Sequence, residues 1–185
     1  MFASWGLTAP WTLSPSTNNP DSIREWLTRT TVGDEGVVFK RLNEPYRPAA
    51  RGWRKYKVHE ITEAIACAIT GLLSTPTTLL LGRYDNHGQL QYIGRTTTLP
   101  HTAGSAAAGL LTAAPAGHPW TGWSFTAGWG SRETLDATLV EPELVVEVSA
   151  DVARDNAGRW QHPVRWHRGR TDLTPNDIPH TAMPP

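Results

Sequence analysis

Glu35, Lys55 and Lys57 have types and spacings that suit phosphate chemistry. Glu35 opens the β-branched run EGVVFKRL, Glu35 to Leu42. That run is bounded by turns and reads as a strand. Trp53 to Val58, WRKYKV, alternates strictly and reads as a second strand. Side chains two apart share a face, so Lys55 and Lys57 point to one side with Trp53. If the strands are neighbours, a carboxylate and two ammonium groups meet. Such a set suits a bound nucleotide, with the lysines offsetting phosphate charge and the carboxylate holding a hard divalent cation. The alternative is two surface strands with solvated charges.

A second cationic group lies near the end of the chain. Arg165, Arg168 and Arg170 sit on the run HPVRWHRGR, His162 to Arg170, which reads as the last strand. Spacing puts 168 and 170 on one face and 165 on the other, unless a bulge intervenes. Guanidinium forks suit pyrophosphate or a nucleic-acid backbone. The alternative is pairing with the acidic strand that carries Glu143 and Glu147. The seven histidines are scattered, and only His162 and His167 approach metal-ligand spacing. Each reads better as a lone surface group.

The chain must supply elements to position these groups. Its 185 residues are 39% hydrophobic and 18% charged, with 16 Gly and 15 Pro, so loops are many and long helices few. Asp21 reads as the N-cap of a short amphipathic helix over SIREWLTRT. The prolines of NEPYRPAARG make a loop. Ala64 to Leu72 is apolar and could be a strand or a short helix. Thr78–Tyr84, a turn at Asp85-Asn86-His87-Gly88 and Gln89–Thr98 form a hairpin. HTAGSAAAGLLTAA is Ala-rich and helical, and TLVEPELVVEVSAD is a strand broken at Pro142. About five strands and one helix after residue 60 suggest a small closed barrel of the five-stranded oligonucleotide-binding type. Trp120, Trp123 and Trp129 read as barrel packing rather than stacking platforms for bases.

Composition narrows the function classes. Lys+Arg and Asp+Glu are both 17, so no bulk basicity announces nucleic acid, and a polyanion site must be a local patch. Ile65 to Leu73 falls far short of the roughly 20 apolar residues a membrane helix needs. MFASWGLTAPW has neither the basic region nor the apolar run of a signal peptide. One cysteine, Cys67, excludes a disulfide framework and a thiolate zinc site. It reads as buried and inert, and it fits a reducing, cytoplasmic compartment.

Read in order, the segments resemble the ATP-dependent DNA ligases of actinobacterial type, in the covalent nucleotidyltransferase superfamily. Glu35-Gly36-Val37-Val38-Phe39-Lys40 looks like that family's fourth motif. Trp53-Arg54-Lys55-Tyr56-Lys57 looks like the fifth, and His162 to Asp172, HPVRWHRGRTD, looks like the sixth. The likeness runs over residues 1–178. It implies a mixed α/β, mostly β chain: the terminal strands of an adenylation domain (1–58), an oligonucleotide-binding (OB-fold) barrel (59–178) and a Pro-rich tail (179–185).

The resemblance also implies roles. Glu35 helps bind a divalent metal, Mg or Mn, and the nucleotide. Lys55 and Lys57 contact the AMP phosphate, and Lys40 lines the same site. Arg165, Arg168, Arg170 and Asp172 orient the leaving pyrophosphate of ATP. Arg54 and Arg95 are the expected contacts to nicked duplex DNA.

Two departures stand out. The family's nucleophile lies in a Lys-x-Asp-Gly motif, and none of the three lysines, Lys40, Lys55 and Lys57, begins that pattern. The third motif is absent too. The sixth motif often closes Asp-Lys, where this chain has Asp172-Leu173. The expectation is a C-terminal ligase portion that cannot self-adenylate alone and pairs with a missing N-terminal segment. The alternatives are a non-catalytic nucleic-acid-binding barrel, one half of a split ligase, or the product of a pseudogene.

Overall fold

The computed structural model describes residues 11–28, 36–126 and 132–181. The chain divides into two compact units, Met1–Tyr56 and Lys57–Pro185.

The first unit holds helix α1 (Pro20–Thr28) and a two-stranded sheet of β1 (Gly36–Phe39) and β2 (Arg54–Lys57), whose last residue opens the second unit. Pro20 takes the first helical position, where its fixed φ and missing N–H cost nothing. The cap is two residues earlier than the spacing suggests. Asn19 Oδ1 accepts from Asp21 N at 2.9 Å, and Asp21 instead pairs with Arg24. Glu35, the expected metal ligand, lies outside the described residues.

The second unit is a barrel. Its strands are β3 (His59–Leu72), β4 (Thr75–Tyr84), β5 (Leu90–Arg95), β6 (Ala137–Leu139), β7 (Val145–Asp151) and β8 (Arg165–Gly169), with α2 (His101–Ala108) between β5 and β6. They pair in the order β5-β4-β3-β7-β8, and β6 pairs with β3. A parallel bridge between Thr96 and Val164 closes the ends: Val164 N donates to Arg95 O at 2.9 Å and Thr97 N to Val164 O at 2.8 Å. Five strands thus run round in the order of the oligonucleotide-binding fold, with a helix between its third and fourth main strands.

The apolar run that could have been strand or helix is strand throughout, because both its faces are covered. Ala64, Ala66 and Ile69 face the barrel interior with Leu79, Leu81, Ile93, Val146 and Val148. Ile65, Cys67 and Ala68 face a second cluster with Trp120, Phe125 and Ile178. The shift from odd to even numbers falls at a bulge between Ala66 and Ala68. Trp120 is 1% exposed and donates from Nε1 to Leu90 O at 2.8 Å. It is packing, as expected, and Trp123 stacks on it with centroids 5.7 Å apart. Trp129 lies outside the described residues. Cys67 is fully buried, which pushes its thiol up.

Other boundaries move. The Ala-rich helix ends at Ala108, short of the expected HTAGSAAAGLLTAA span. Pro142 separates β6 from β7. Asp85 folds the hairpin turn, accepting from His87 N and Gln89 N at Oδ1 and from Gln91 Nε2 at Oδ2. Gly88 takes φ +74° there, which suits a residue without Cβ. In the expected tail, Thr181 N donates to Tyr84 O at 2.9 Å. No helix among the described residues is long and apolar enough to cross a membrane.

Candidate functional site

The last strand and the residue after it carry three arginines, Arg165, Arg168 and Arg170. β7 and β8 are antiparallel, with Glu147 opposite Arg168 and Val148 opposite Trp166. His167 has no partner in this register, so it is the extra residue of a bulge. The bulge resets the alternation. Trp166 packs on the barrel interior, and a Cβ on Gly169 would sit 2.6 Å from Leu110 Cδ1, so 166 and 169 point inward. Arg165, Arg168 and Arg170 therefore share the outer face, which simple spacing does not give.

Arg170 is the centre of this group. Its Nε and Nη2 donate to Asp172 Oδ1 and Oδ2, both at 2.8 Å. Its Nη1 reaches Glu63 Oε1 at 3.4 Å and Glu147 Oε2 at 3.3 Å. Arg168 approaches Glu147 through Nε at 3.3 Å and Nη2 at 3.0 Å. Side-chain exposure separates the two arginines: 62% for Arg168 and 16% for Arg170. Hydrogen bonding from the Arg170 fork holds the Asp172 carboxyl at about 2. The Arg168 hydrogen bond lowers Glu147 in the same sense, and Asp172 raises Arg170. Both arginines stay charged at any working pH.

The expected pairing with the acidic strand is therefore present at Glu147. Glu63 belongs to the same group and was not anticipated. It joins through β3, where it lies opposite Glu147. Sequence distance hides that register.

The other expected site residues are not brought into this cluster. Lys57 pairs with Asp151, whose other oxygen Oδ1 lies 3.0 Å from His59 Nδ1. Lys40 sits over the Trp53 ring, 3.9 Å from its centroid. Arg54 and Lys55 are exposed on β2. Arg54 borders a concavity of about 510 Å³ with Lys40, Arg41, Arg51 and Glu44. Arg95 is half-buried at the end of β5, where its carbonyl accepts the bond that closes the barrel. A cleft of about 1020 Å³ opens beside Arg170, but its wall includes Glu141 and Glu143, which oppose an anion. Among the described residues, no group of three His, Cys, Asp or Glu is placed to hold a metal ion.

Over 171 residues the chain is 30% identical to DNA ligase C1 of Mycolicibacterium smegmatis, a span of 87% of this chain and 48% of that relative. The chain is similar to mycobacterial DNA ligases. It is also 25% identical to DNA ligase C of Mycobacterium tuberculosis, over 92% of this chain and 52% of that ligase. The ligase domain of LigD from M. tuberculosis superposes with a TM-score of 0.52 at 25% identity, covering 79% of this chain and 47% of that domain. The chain spans about half the length of the curated ligases it matches. No protein-family model matches it.

Proposed function

We propose that this chain is the C-terminal portion of an ATP-dependent DNA ligase that seals nicks in duplex DNA. In that reading residues 1–58 end the adenylation domain, 59–178 form the OB-fold barrel and 179–185 are the tail. The observation that carries the reading is the outer-face trio Arg165, Arg168 and Arg170, with Asp172 locking the last of them. Planar guanidinium groups on a rigid strand can hold the β- and γ-phosphates of ATP through parallel N–H···O bonds. They compensate the charge that builds on the leaving pyrophosphate.

Within the same reading, Lys40, Lys55 and Lys57 meet the AMP phosphate, and Lys57 must leave Asp151 to do so. Glu35 contributes a carboxylate to a Mg or Mn ion, a role supported by its place in the fourth-motif pattern. Arg54 and Arg95 contact the DNA backbone. The covalent step needs a lysine nucleophile. No lysine here stands in a Lys-x-Asp-Gly context, so we infer that the nucleophile comes from residues outside this chain.

Mixing this chain with the part of M. smegmatis DNA ligase C1 that it does not span tests the reading. Nick sealing by the mixture, with neither piece active alone, is expected. No sealing from a mixture that forms a stable complex would refute it.

A second reading has one observation in its favour. The barrel closes on itself through Thr96 and Val164 without help from the first unit. A closed oligonucleotide-binding barrel can hold nucleic acid with no catalysis, and such binding weakens steeply with salt. Binding of nicked DNA by a chain that never supports sealing would favour this reading.

A further inference from the structure

The carboxylates around Arg170 are not equivalent. Asp172 makes two parallel bonds of 2.8 Å to the Arg170 fork, at the length of a good charge-assisted pair. Glu147 and Glu63 stand farther off. Their contacts to Arg170 are 3.3 and 3.4 Å, and those of Glu147 to Arg168 are 3.3 and 3.0 Å. Two guanidinium groups thus face three carboxylates: Asp172 is held tightly by Arg170, Glu147 makes one ordinary bond of 3.0 Å to Arg168 and longer contacts otherwise, and Glu63 is held loosely. A guanidinium fork accepts carboxylate and phosphate oxygens in the same geometry. A loosely held carboxylate in such a fork marks a position that phosphate oxygen can take.

The anchoring also differs. Asp172 is two residues from Arg170 and moves with it. Glu147 and Glu63 sit on the neighbouring strands β7 and β3, fixed to the barrel wall. An arginine that turns toward a ligand keeps Asp172 and leaves the other two.

We propose that Glu147 and Glu63 are placeholder anions. They fill the open donor positions of Arg168 and Arg170 while no ligand is present, and pyrophosphate or a nucleotide's terminal phosphates displace them. Asp172 is a positioning residue that stays bound and aims Arg170. This inference rests on the reading that these arginines take pyrophosphate. Placeholders keep two cations from collapsing onto other acids, and they weaken binding of the free ligand by having to be displaced.

Calorimetric titration of the full chain with sodium pyrophosphate in metal-free buffer tests this. Glu147→Gln should tighten pyrophosphate binding by about threefold or more, the scale of one exposed ion pair. Glu63→Gln should act in the same direction. Asp172→Asn should weaken binding, although it too removes a negative charge. Arg168→Gln should weaken it as well. Unchanged or weaker binding in both glutamate variants, with Arg168→Gln still damaging, overturns the placeholder role and leaves the pyrophosphate reading standing. Tightening by Asp172→Asn as well as by Glu147→Gln reduces the effect to net charge and also overturns it. Binding indifferent to Arg168→Gln, or absent from every variant, refutes the pyrophosphate reading and this inference with it. Urea unfolding of each variant verifies that the chain being titrated is folded.

Discussion

Glu147 lies directly across the β7–β8 pair from Arg168, and its Oε2 serves both Arg168 Nη2 at 3.0 Å and Arg170 Nη1 at 3.3 Å. One carboxylate thus ties two arginines that stand two residues apart on the same face. The bulge at His167 places Arg165 on the same face as these two. Deleting His167 should remove the bulge and restore strict alternation with Arg165, Arg168 and Arg170 still facing outward. Pyrophosphate binding by the shortened chain should persist, and the barrel should retain its circular-dichroism spectrum.

Acid sensitivity should reside partly in Asp172. Its carboxyl is held at about 2 by the Arg170 fork, below its ordinary value of 3.8. A depressed native value means that the pair stabilises the fold fully above about pH 4 and that this contribution fades as pH falls toward 2. Asp172→Asn should flatten the urea midpoint against pH in that window and leave its shape above about pH 5 unchanged. An identical acid limb in the variant would refute the assignment.

Gly82 should tolerate no side chain. A Cβ there would stand 2.8 Å from Cys67 Sγ, 3.0 Å from Trp120 Cζ2 and 3.1 Å from Gln91 O. These are buried, packed neighbours with little room to retreat. Gly82→Ala should cost about 1–3 kcal/mol, read as a lower urea midpoint at constant slope.

Trp120 should be the most costly single truncation on the outer face of the barrel. It fills the second cluster with Phe125 and Ile178 and bonds Leu90 O. Trp120→Ala should cost about 3–5 kcal/mol. Trp120→Phe keeps much of the volume but leaves the Leu90 carbonyl without its partner, at about 1–3 kcal/mol. Equal losses in the two variants would show that the hydrogen bond, not the packing, dominates.

Local signals carried much of this fold into the sequence. The hairpin was legible because Asp85 and Gly88 each have a turn chemistry of their own. The Arg168–Glu147 pairing was legible as opposite charges on adjacent strands. Ala64–Leu72 was ambiguous because burial on both faces erases the period of two that marks a half-buried strand. The bulge at His167 has no residue signature. Glu63 and Asp151 were missed because their roles depend on β3–β7 register, which pairs residues more than eighty positions apart and is set by tertiary packing. The helix cap lies two residues before the expected one because Asn19 and Asp21 are both good caps and Pro20 between them suits the first helical position.

The proposed function divides the labour: this chain would handle phosphates, and a segment outside it would supply the nucleophile. The direct measurement is intact mass after incubation with Mg-ATP, for this chain alone, for the unspanned part of DNA ligase C1 alone and for the two mixed. The account predicts AMP on the ligase C1 segment, increased by this chain, and none on this chain. A stable AMP adduct on this chain, or an adduct on the segment that this chain does not raise, would contradict it.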